Sequence, residues 1–197
     1  MTRRILLVGM MGAGKTTVGE LVAQRLGWEY RDSDDDVEAA TGLSVPALFA
    51  RDGEAAFRQA EAVALARACA GDDPVVISVA GGAVLRADTR ALLRQSGTVV
   101  WLRARPETLA ARVGDGTGRP LLEDDPAGTL TRLDSERRPH YAEVAAVTID
   151  VDGLTAEQVV DAVLAGAECK PDAAPDAAPD AAPDAAPGAA PGAGAGA

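Results

Sequence analysis

Nine residues near the start, Gly9-Met10-Met11-Gly12-Ala13-Gly14-Lys15-Thr16-Thr17, constrain the fold more than any other stretch of the chain. They match in full the pattern G-x-x-x-x-G-K-[ST], in which backbone N–H groups cradle phosphate oxygens. The flanks are the ones this pattern requires. Residues 3–8 end in a continuous apolar run, which reads as a buried parallel strand. After the glycines, Val18, Leu21, Val22 and Leu26 recur at helical spacing, and Gly27 is a natural stop. Strand, loop and helix in that order present a helix N-terminus, where the dipole favours negative charge, to the bound phosphates. Lys15 is the only lysine in the first 169 residues, which carry seventeen arginines. A compact ammonium fits among crowded phosphate oxygens where a planar guanidinium does not. Gly12, Ala13, Gly14, Lys15, Thr16 and Thr17 are therefore expected to bind a nucleotide, with the Thr16 hydroxyl placed for Mg²⁺.

The chain has 197 residues, and its last part differs in kind from the rest. From Pro171 the sequence repeats Pro-Asp-Ala-Ala four times and then decays into Gly, Ala and Pro. Such a segment has no apolar side chain beyond Ala and Pro with which to build a core. Residues 171–197 are expected to be a disordered tail, and residues 1–170 one domain. The whole chain carries a formal charge of −11. Four of its 30 acidic residues lie in the tail, which leaves 26 against 19 basic residues in the domain. That balance argues against a general affinity for nucleic acid or an anionic membrane, so an anionic ligand must be caught by a local arginine cluster. The longest apolar runs are strand-sized and there is no signal-peptide pattern, so a cytoplasmic enzyme is expected, and a monomer. Cys69 and Cys169 are far apart and read as reduced. His140 is the sole histidine, which excludes a histidine metal cluster.

Four further strands are expected at residues 28–32, 74–79, 98–103 and 147–151. Helical patterns occupy 44–51, 54–70, 86–95, 106–113, 127–141 and 155–165. Strands alternating with helices imply a parallel sheet covered on both faces. Residues 114–126 are rich in Gly, Asp and Pro without periodicity, and read as a loop able to close over a nucleotide.

Ligands of open α/β sheets bind beyond the carboxyl ends of the strands. The second strand ends in Asp32-Ser33-Asp34, followed by Asp35 and Asp36. Two carboxylates at i and i+2 can divide the work of phosphoryl transfer. One holds the metal through water and the other takes a proton from the attacking hydroxyl. The plainer reading is that Asp32 or Ser33 caps the next helix. The third strand ends in Ser78-Val79-Ala80-Gly81-Gly82, whose glycines let a substrate lie against the backbone, and Ser78 could touch a metal-bound water. Arg58 lies one turn beyond Glu54 and nearly one before Glu61, which by itself reads as a helix-surface ion pair. Arg137 and Arg138 alone read as a basic helix end. A carboxylate-bearing acceptor would give these arginines a further role.

Taken together, these motifs resemble the shikimate kinase family, a branch of the nucleoside-monophosphate-kinase-like P-loop proteins. The resemblance runs from about residue 4 to residue 163. It rests on G-M-M-G-A-G-K-T-T, D-S-D at 32–34, T-G at 41–42, D-G-E-x-x-F-R-x-x-E at 52–61, A-G-G-A-V at 80–84, R-P-L-L at 119–122 and R-x-P-x-Y at 137–141. It implies a three-layer P-loop kinase fold: a five-stranded parallel sheet in the order 2-3-1-4-5, helices on both faces, and a lid at about 114–126. It also implies ATP- and Mg²⁺-dependent phosphorylation of the 3-hydroxyl of shikimate, on the route to chorismate and the aromatic amino acids. Position by position, it implies that Asp34 binds the acceptor hydroxyls and acts as base. Arg58 and Arg137 hold the carboxylate, Gly81 and Gly82 line the acceptor, and Glu61 orients Arg58. Arg119 meets the transferring phosphate, Arg112 stacks on adenine, and Thr16 and Asp32 (through water) surround the Mg²⁺.

Two departures stand out. Ala80 replaces the first of three glycines, which should narrow the approach and alter affinity slightly. Asp35 and Asp36 add negative charge near an anionic substrate. A gluconate-type kinase would be expected to carry His-Pro where this chain reads Asp35-Asp36-Val37, and nothing announces a nucleobase acceptor pocket. A non-catalytic nucleotide-binding protein remains the rival of another class, and the intact Lys15, Asp34, Arg58, Arg119 and Arg137 argue against it.

Overall fold

The computed structural model describes residues 3–114 and 125–167. Arg119, most of the expected lid, Cys169 and the tail lie outside the described residues. In chain order the elements are β1 (Arg4–Val8), α1 (Lys15–Leu26), β2 (Glu29–Asp32), α2 (Ser33–Thr41), α3 (Val45–Ala68) and β3 (Val75–Ser78). They continue with a 3₁₀ turn (Ala83–Leu85), α4 (Ala87–Ser96), β4 (Thr98–Arg103), α5 (Pro106–Val113), α6 (Pro126–Val144), β5 (Val147–Asp150) and α7 (Ala156–Gly166). The five strands form one parallel sheet in the order β2-β3-β1-β4-β5, as the family resemblance implied.

Burial follows position in the sheet. β1 is central and buried along its whole length, which is why it reads as an unbroken apolar run. β5 is an edge and alternates, with Ile149 buried and Thr148 and Asp150 exposed. The main core runs from Ile5, Leu6 and Leu7 through Val22, Ile77, Val100 and Leu109 to Tyr141 and Val160. Burying a side chain of this size contributes about 1.5–3 kcal/mol. A satellite core of Val37, Leu48, Phe57 and Ala64 joins α2 to α3. It makes that helix pair a wall beside the sheet's carboxyl ends.

Two local expectations need correction, and a third holds with a refinement. Residues 33–41 form α2, which the sequence reading did not place, because only Ser33 and Val37 on it are buried and no apolar stripe marks it. The two helices expected at 44–51 and 54–70 are both present and meet at Gly53, whose φ of 82° breaks α3. α6 runs on to Val144 past Pro139, so Arg137 and Arg138 lie inside the helix and not at a basic end.

Candidate active site

A cleft of about 660 Å³ opens beyond the carboxyl ends of β1, β2 and β3. Its lining includes Lys15, Thr16, Asp32, Asp34, Arg58, Gly81, Gly82, Arg112 and Arg137. Of the residues singled out from sequence, these therefore converge on one space, although they come from six separate segments. Four basic side chains face that space in a chain of charge −11, which is the local concentration an anionic ligand requires.

At one end stands the phosphate loop. Gly12 and Gly14 take φ of 81° and 93°, a region that costs an L-residue with a Cβ. At Gly12 a Cβ would also lie 2.8 Å from Val113 Cγ2 and 3.2 Å from the Leu109 carbonyl. The loop delivers the chain to α1, whose N-terminus has no side-chain cap and no acidic residue in its first turn. Its backbone N–H groups and dipole are left for an anion. Lys15 Nζ donates to the carbonyls of Gly9 (3.0 Å) and Met10 (3.3 Å), which folds the ammonium over the loop. Beside the loop, a second recess of about 200 Å³ is lined by Ala13, Gly14, Thr17, Arg112, Val151 and Leu154, among others. Arg112 anchors its rim by donating to the Val151 carbonyl at 3.1 Å. The recess has room for part of a nucleobase, with a guanidinium at its mouth.

Asp32 is the cap weighed from sequence, and it also stands beside the phosphate loop. Its Oδ1 accepts from the Asp34 N–H at 3.0 Å and so caps α2. Its Oδ2 accepts from the Thr16 hydroxyl at 3.4 Å and from the Tyr30 hydroxyl at 3.2 Å. The cap thus fixes a carboxylate beside the P-loop threonine. Two hard oxygen donors at that spot suit Mg²⁺, which takes few protein ligands and keeps waters and phosphate oxygens for the rest. Among the described residues no cluster of three His, Cys, Asp or Glu forms a metal cage.

Asp34, in the first turn of α2, lines the middle of the cleft. Burial and the neighbouring Asp32 raise its pKa above the usual carboxylate value, against the pull of Lys15 and Arg58. A carboxylate poised in this way is a better proton acceptor than a solvated one.

The far end carries two arginines. Arg58 Nη1 donates to both oxygens of Glu61, at 3.2 and 3.0 Å, and Nη2 to Glu54 at 3.3 Å. Arg137 is 3% exposed, and its Nε has no partner within the protein. A buried guanidinium with an unused donor calls for an anion. Between the two arginines lie Gly81 and Gly82. Neither has positive φ, so the need for glycine here is one of space. A Cβ on Gly82 would stand 2.6 Å from Arg58 Cζ, and one on Gly81 would stand 3.4 Å from Arg137 Nη1. Ala80, the departure noted from sequence, lies where a Cβ is tolerated, and its N–H donates to Ser33 Oγ at 2.8 Å.

Some expectations do not hold. Ser78 is 1% exposed and sits beneath the cleft rather than facing it. Asp36 is paired with Arg31, at 2.6 and 3.1 Å, so its charge is compensated and only Asp35 remains as uncompensated extra acidity. Arg138 is bound to Asp134 at 2.6 Å, turned from the cleft. The sequence reading also missed the apolar wall of Val45, Pro46, Phe49 and Phe57 and the acidic Glu38, whose Oε1 accepts from the Val45 N–H at 2.8 Å. The aromatic pair, with ring centroids 4.6 Å apart, could have been suspected from its place in an otherwise aromatic-poor chain.

A parallel sheet in this order, a glycine loop feeding a helix N-terminus, and an acidic pair beside it define a P-loop phosphotransferase. The particular family follows from comparison. The shikimate kinase family model matches residues 11–168. The shikimate kinase of Symbiobacterium thermophilum is 49% identical over 163 residues, covering 81% of this chain and 93% of that one. That of Salinispora tropica is 46% identical over 159 residues, covering 81% and 94%. Among solved structures, the shikimate kinase of Acinetobacter baumannii in complex with shikimate superposes with a TM-score of 0.79 at 39% identity, over 82% of this chain and 90% of that one. A gluconokinase from Sinorhizobium meliloti shares the fold, with a TM-score of 0.56 at 22% identity over 84% of this chain and 91% of that one. The chain belongs to the shikimate kinase family, and it is a kinase.

Proposed function

We propose that the protein transfers the γ-phosphoryl group of ATP to the 3-hydroxyl of shikimate, giving shikimate 3-phosphate and ADP for aromatic amino acid biosynthesis. The observation that carries this reading is the two-ended cleft. One cleft is lined both by the start of a helix with uncapped N–H groups and by a pair of arginines, with Asp34 among the residues that line it too. A ring acid with vicinal hydroxyls fits those groups one by one.

The carboxylate of the acceptor lies between Arg58 and Arg137, where two guanidinium groups fix its orientation. The ring rests on Gly81 and Gly82 and against the apolar wall of Phe49 and Phe57. Asp34 accepts the proton of the attacking hydroxyl as its oxygen bonds to the γ-phosphorus and the bond to the ADP oxygen breaks. Lys15 and the N-terminus of α1 meet the charge spread over the phosphoryl oxygens. Arg119, from its match to the family motif, is assigned to the same charge. The Thr16 hydroxyl and, through water, Asp32 would hold Mg²⁺, which would supply charge neutralisation at the phosphate oxygens. Arg112 closes over the adenine.

A coupled assay of ADP release with shikimate, gluconate and CMP as acceptors tests the reading. Turnover with shikimate alone is expected. Turnover with gluconate and not shikimate would transfer the chain's activity to the sugar-acid kinases.

A further inference from the structure

Two pieces of backbone meant for different ligands meet at one side chain, which belongs to neither of them. The phosphate loop contributes Met10 and the segment after β3 contributes Gly81, and the side chain is Tyr141 of α6. The Tyr141 hydroxyl donates to the Gly81 carbonyl at 2.7 Å and lies 3.7 Å from Met10 Sδ. The ring is fully buried and packs at a tilt against Trp101, with centroids 5.7 Å apart. One helical turn earlier, Arg137 brings Nη1 to the same spot, so positions i and i+4 of one helix face address one glycine.

A buried phenol satisfies its own O–H by finding an acceptor, and many carbonyls would serve. This one is specific in its consequence. The peptide unit joining Gly81 to Gly82 is planar and trans, so anchoring the Gly81 oxygen fixes the Gly82 N–H on the opposite side, away from Tyr141. Two successive glycines carry no Cβ to restrict that peptide, and rotation would cost little without an anchor. Burial raises the phenol's pKa further above its usual value, so the group stays a neutral donor across the working range. The same oxygen touches the loop that grips the phosphates.

We infer that Tyr141 is a positioning residue, whose hydroxyl ties the acceptor floor at Gly81 to the phosphate loop at Met10 so that donor and acceptor are held in register. The inference rests on the acceptor reading of the Gly81–Gly82 floor. Ordinary packing would need only the ring. A register role needs the oxygen, and it shows when the nucleotide arrives, because a change at the loop must then be felt at Gly82.

The test uses the full chain with Tyr141→Phe, which keeps the ring and removes the oxygen. With shikimate and ATP saturating, kcat should fall about tenfold or more, while the separate dissociation constants for shikimate and for ADP move less than about threefold. Retention of kcat within twofold, or a loss of kcat matched by equal losses in both affinities, would reduce Tyr141 to packing. A second arm follows backbone amide NMR signals during titration with Mg-ADP alone. In the native protein the Gly82 amide should shift along with those of Gly12 and Gly14. In Tyr141→Phe the loop signals should still move and Gly82 should not. A native Gly82 signal that ignores ADP, or one that responds equally in the variant, overturns the coupling. Should Tyr141→Phe fail to fold, Met10→Leu replaces it, with at least half of the Gly82 response expected to disappear. A full response there rejects the link. The ADP titration needs no acceptor, so failure of the shikimate reading would appear separately, as a native enzyme without turnover on shikimate.

Discussion

Glu61 Oε2 lies 3.0 Å from Arg58 Nη1, yet Glu61 is only 1% exposed. A carboxylate so placed is pulled in two directions. Burial pushes its pKa up to about 7 from the ordinary 4.5, with Asp34 acting in the same sense, while Arg58 and Arg137 resist. The pair therefore does more than aim the guanidinium. It makes the acceptor end of the cleft sensitive to pH in the neutral range.

The first prediction concerns binding. An acceptor carboxylate set between Arg58 and Arg137 shares the charges that keep Glu61 ionised. Binding should then favour protonated Glu61, so protons are taken up and shikimate affinity weakens as pH rises through about 7. Calorimetry in buffers of different ionisation heat measures the uptake. Glu61→Gln, which keeps a hydrogen-bond acceptor for Arg58 but cannot titrate, should flatten the dependence. An unchanged slope in Glu61→Gln would place the titrating group elsewhere.

Stability should carry the same signature. Because the folded pKa of Glu61 is raised, its contribution is fully present below the unfolded value of 4.5 and is lost as pH rises through about 7. The native protein should therefore lose melting temperature relative to Glu61→Gln between pH 5 and pH 8. Parallel Tm curves for the two proteins would show that Glu61 stays ionised throughout.

The third prediction addresses chemistry. Asp34 lines the cleft between the phosphate loop and the arginines. Asp34→Asn keeps the shape and removes the proton acceptor, so kcat should fall by about two orders of magnitude or more, with ATP binding retained. Near-native turnover would remove Asp34 from the mechanism.

How much of this was legible in the residues divides along physical lines. The central strand announced itself because burial on both faces demands an unbroken apolar run, as in Ile5 to Val8. The phosphate loop was equally plain, since its glycines are enforced by backbone geometry. α2 was not: the possible cap at Asp32 was visible, but with only Ser33 and Val37 buried the segment shows no apolar stripe to mark a helix. The role of Asp36 was misjudged for a related reason: its partner Arg31 sits five residues away across a strand–helix junction, and only folding brings the two to 2.6 Å. Glu38 carries no local pattern that marks it as part of a cleft, and for Phe49 and Phe57 the one signal was their rarity in the chain.

The fourth prediction separates the anion receptors from ordinary surface arginines. Arg58 and Arg137 both line the cleft, whereas Arg94 is exposed and paired with Glu143 at 2.5 Å on α6. Replacing Arg58 or Arg137 with Ala should raise the KM for shikimate by about 1.5–3 kcal/mol, which is roughly 10- to 150-fold, and move the KM for ATP much less. Arg58→Lys should rescue only in part, since an ammonium cannot reproduce the fork. Arg94→Ala should leave both constants unchanged. Melting curves must accompany the kinetics, because Arg137 is buried and its loss opens space beside Tyr141. Equal shikimate affinity in all the Ala variants would show that these arginines do not hold the carboxylate.

The last prediction uses the glycines as a ruler. At Gly82 a Cβ meets the Arg58 guanidinium, whereas Ala80 already carries one without conflict. Gly82 has φ of −88°, so Ala is permitted there by the backbone, and any effect must come from contact. Gly82→Ala should displace Arg58 from Glu61, raise the KM for shikimate about tenfold or more, and leave the KM for ATP within about twofold. The reverse change, Ala80→Gly, restores the third glycine of the family pattern but removes no obstruction from the cleft. It should shift shikimate affinity by no more than about twofold, and it should lower the melting temperature slightly through the added freedom of the unfolded chain. Steady-state kinetics on both variants, with each substrate varied in turn, reads the difference. If Gly82→Ala binds shikimate as well as the native protein, Arg58 has another way to reach the carboxylate, and the close approach at Gly82 is incidental to the site.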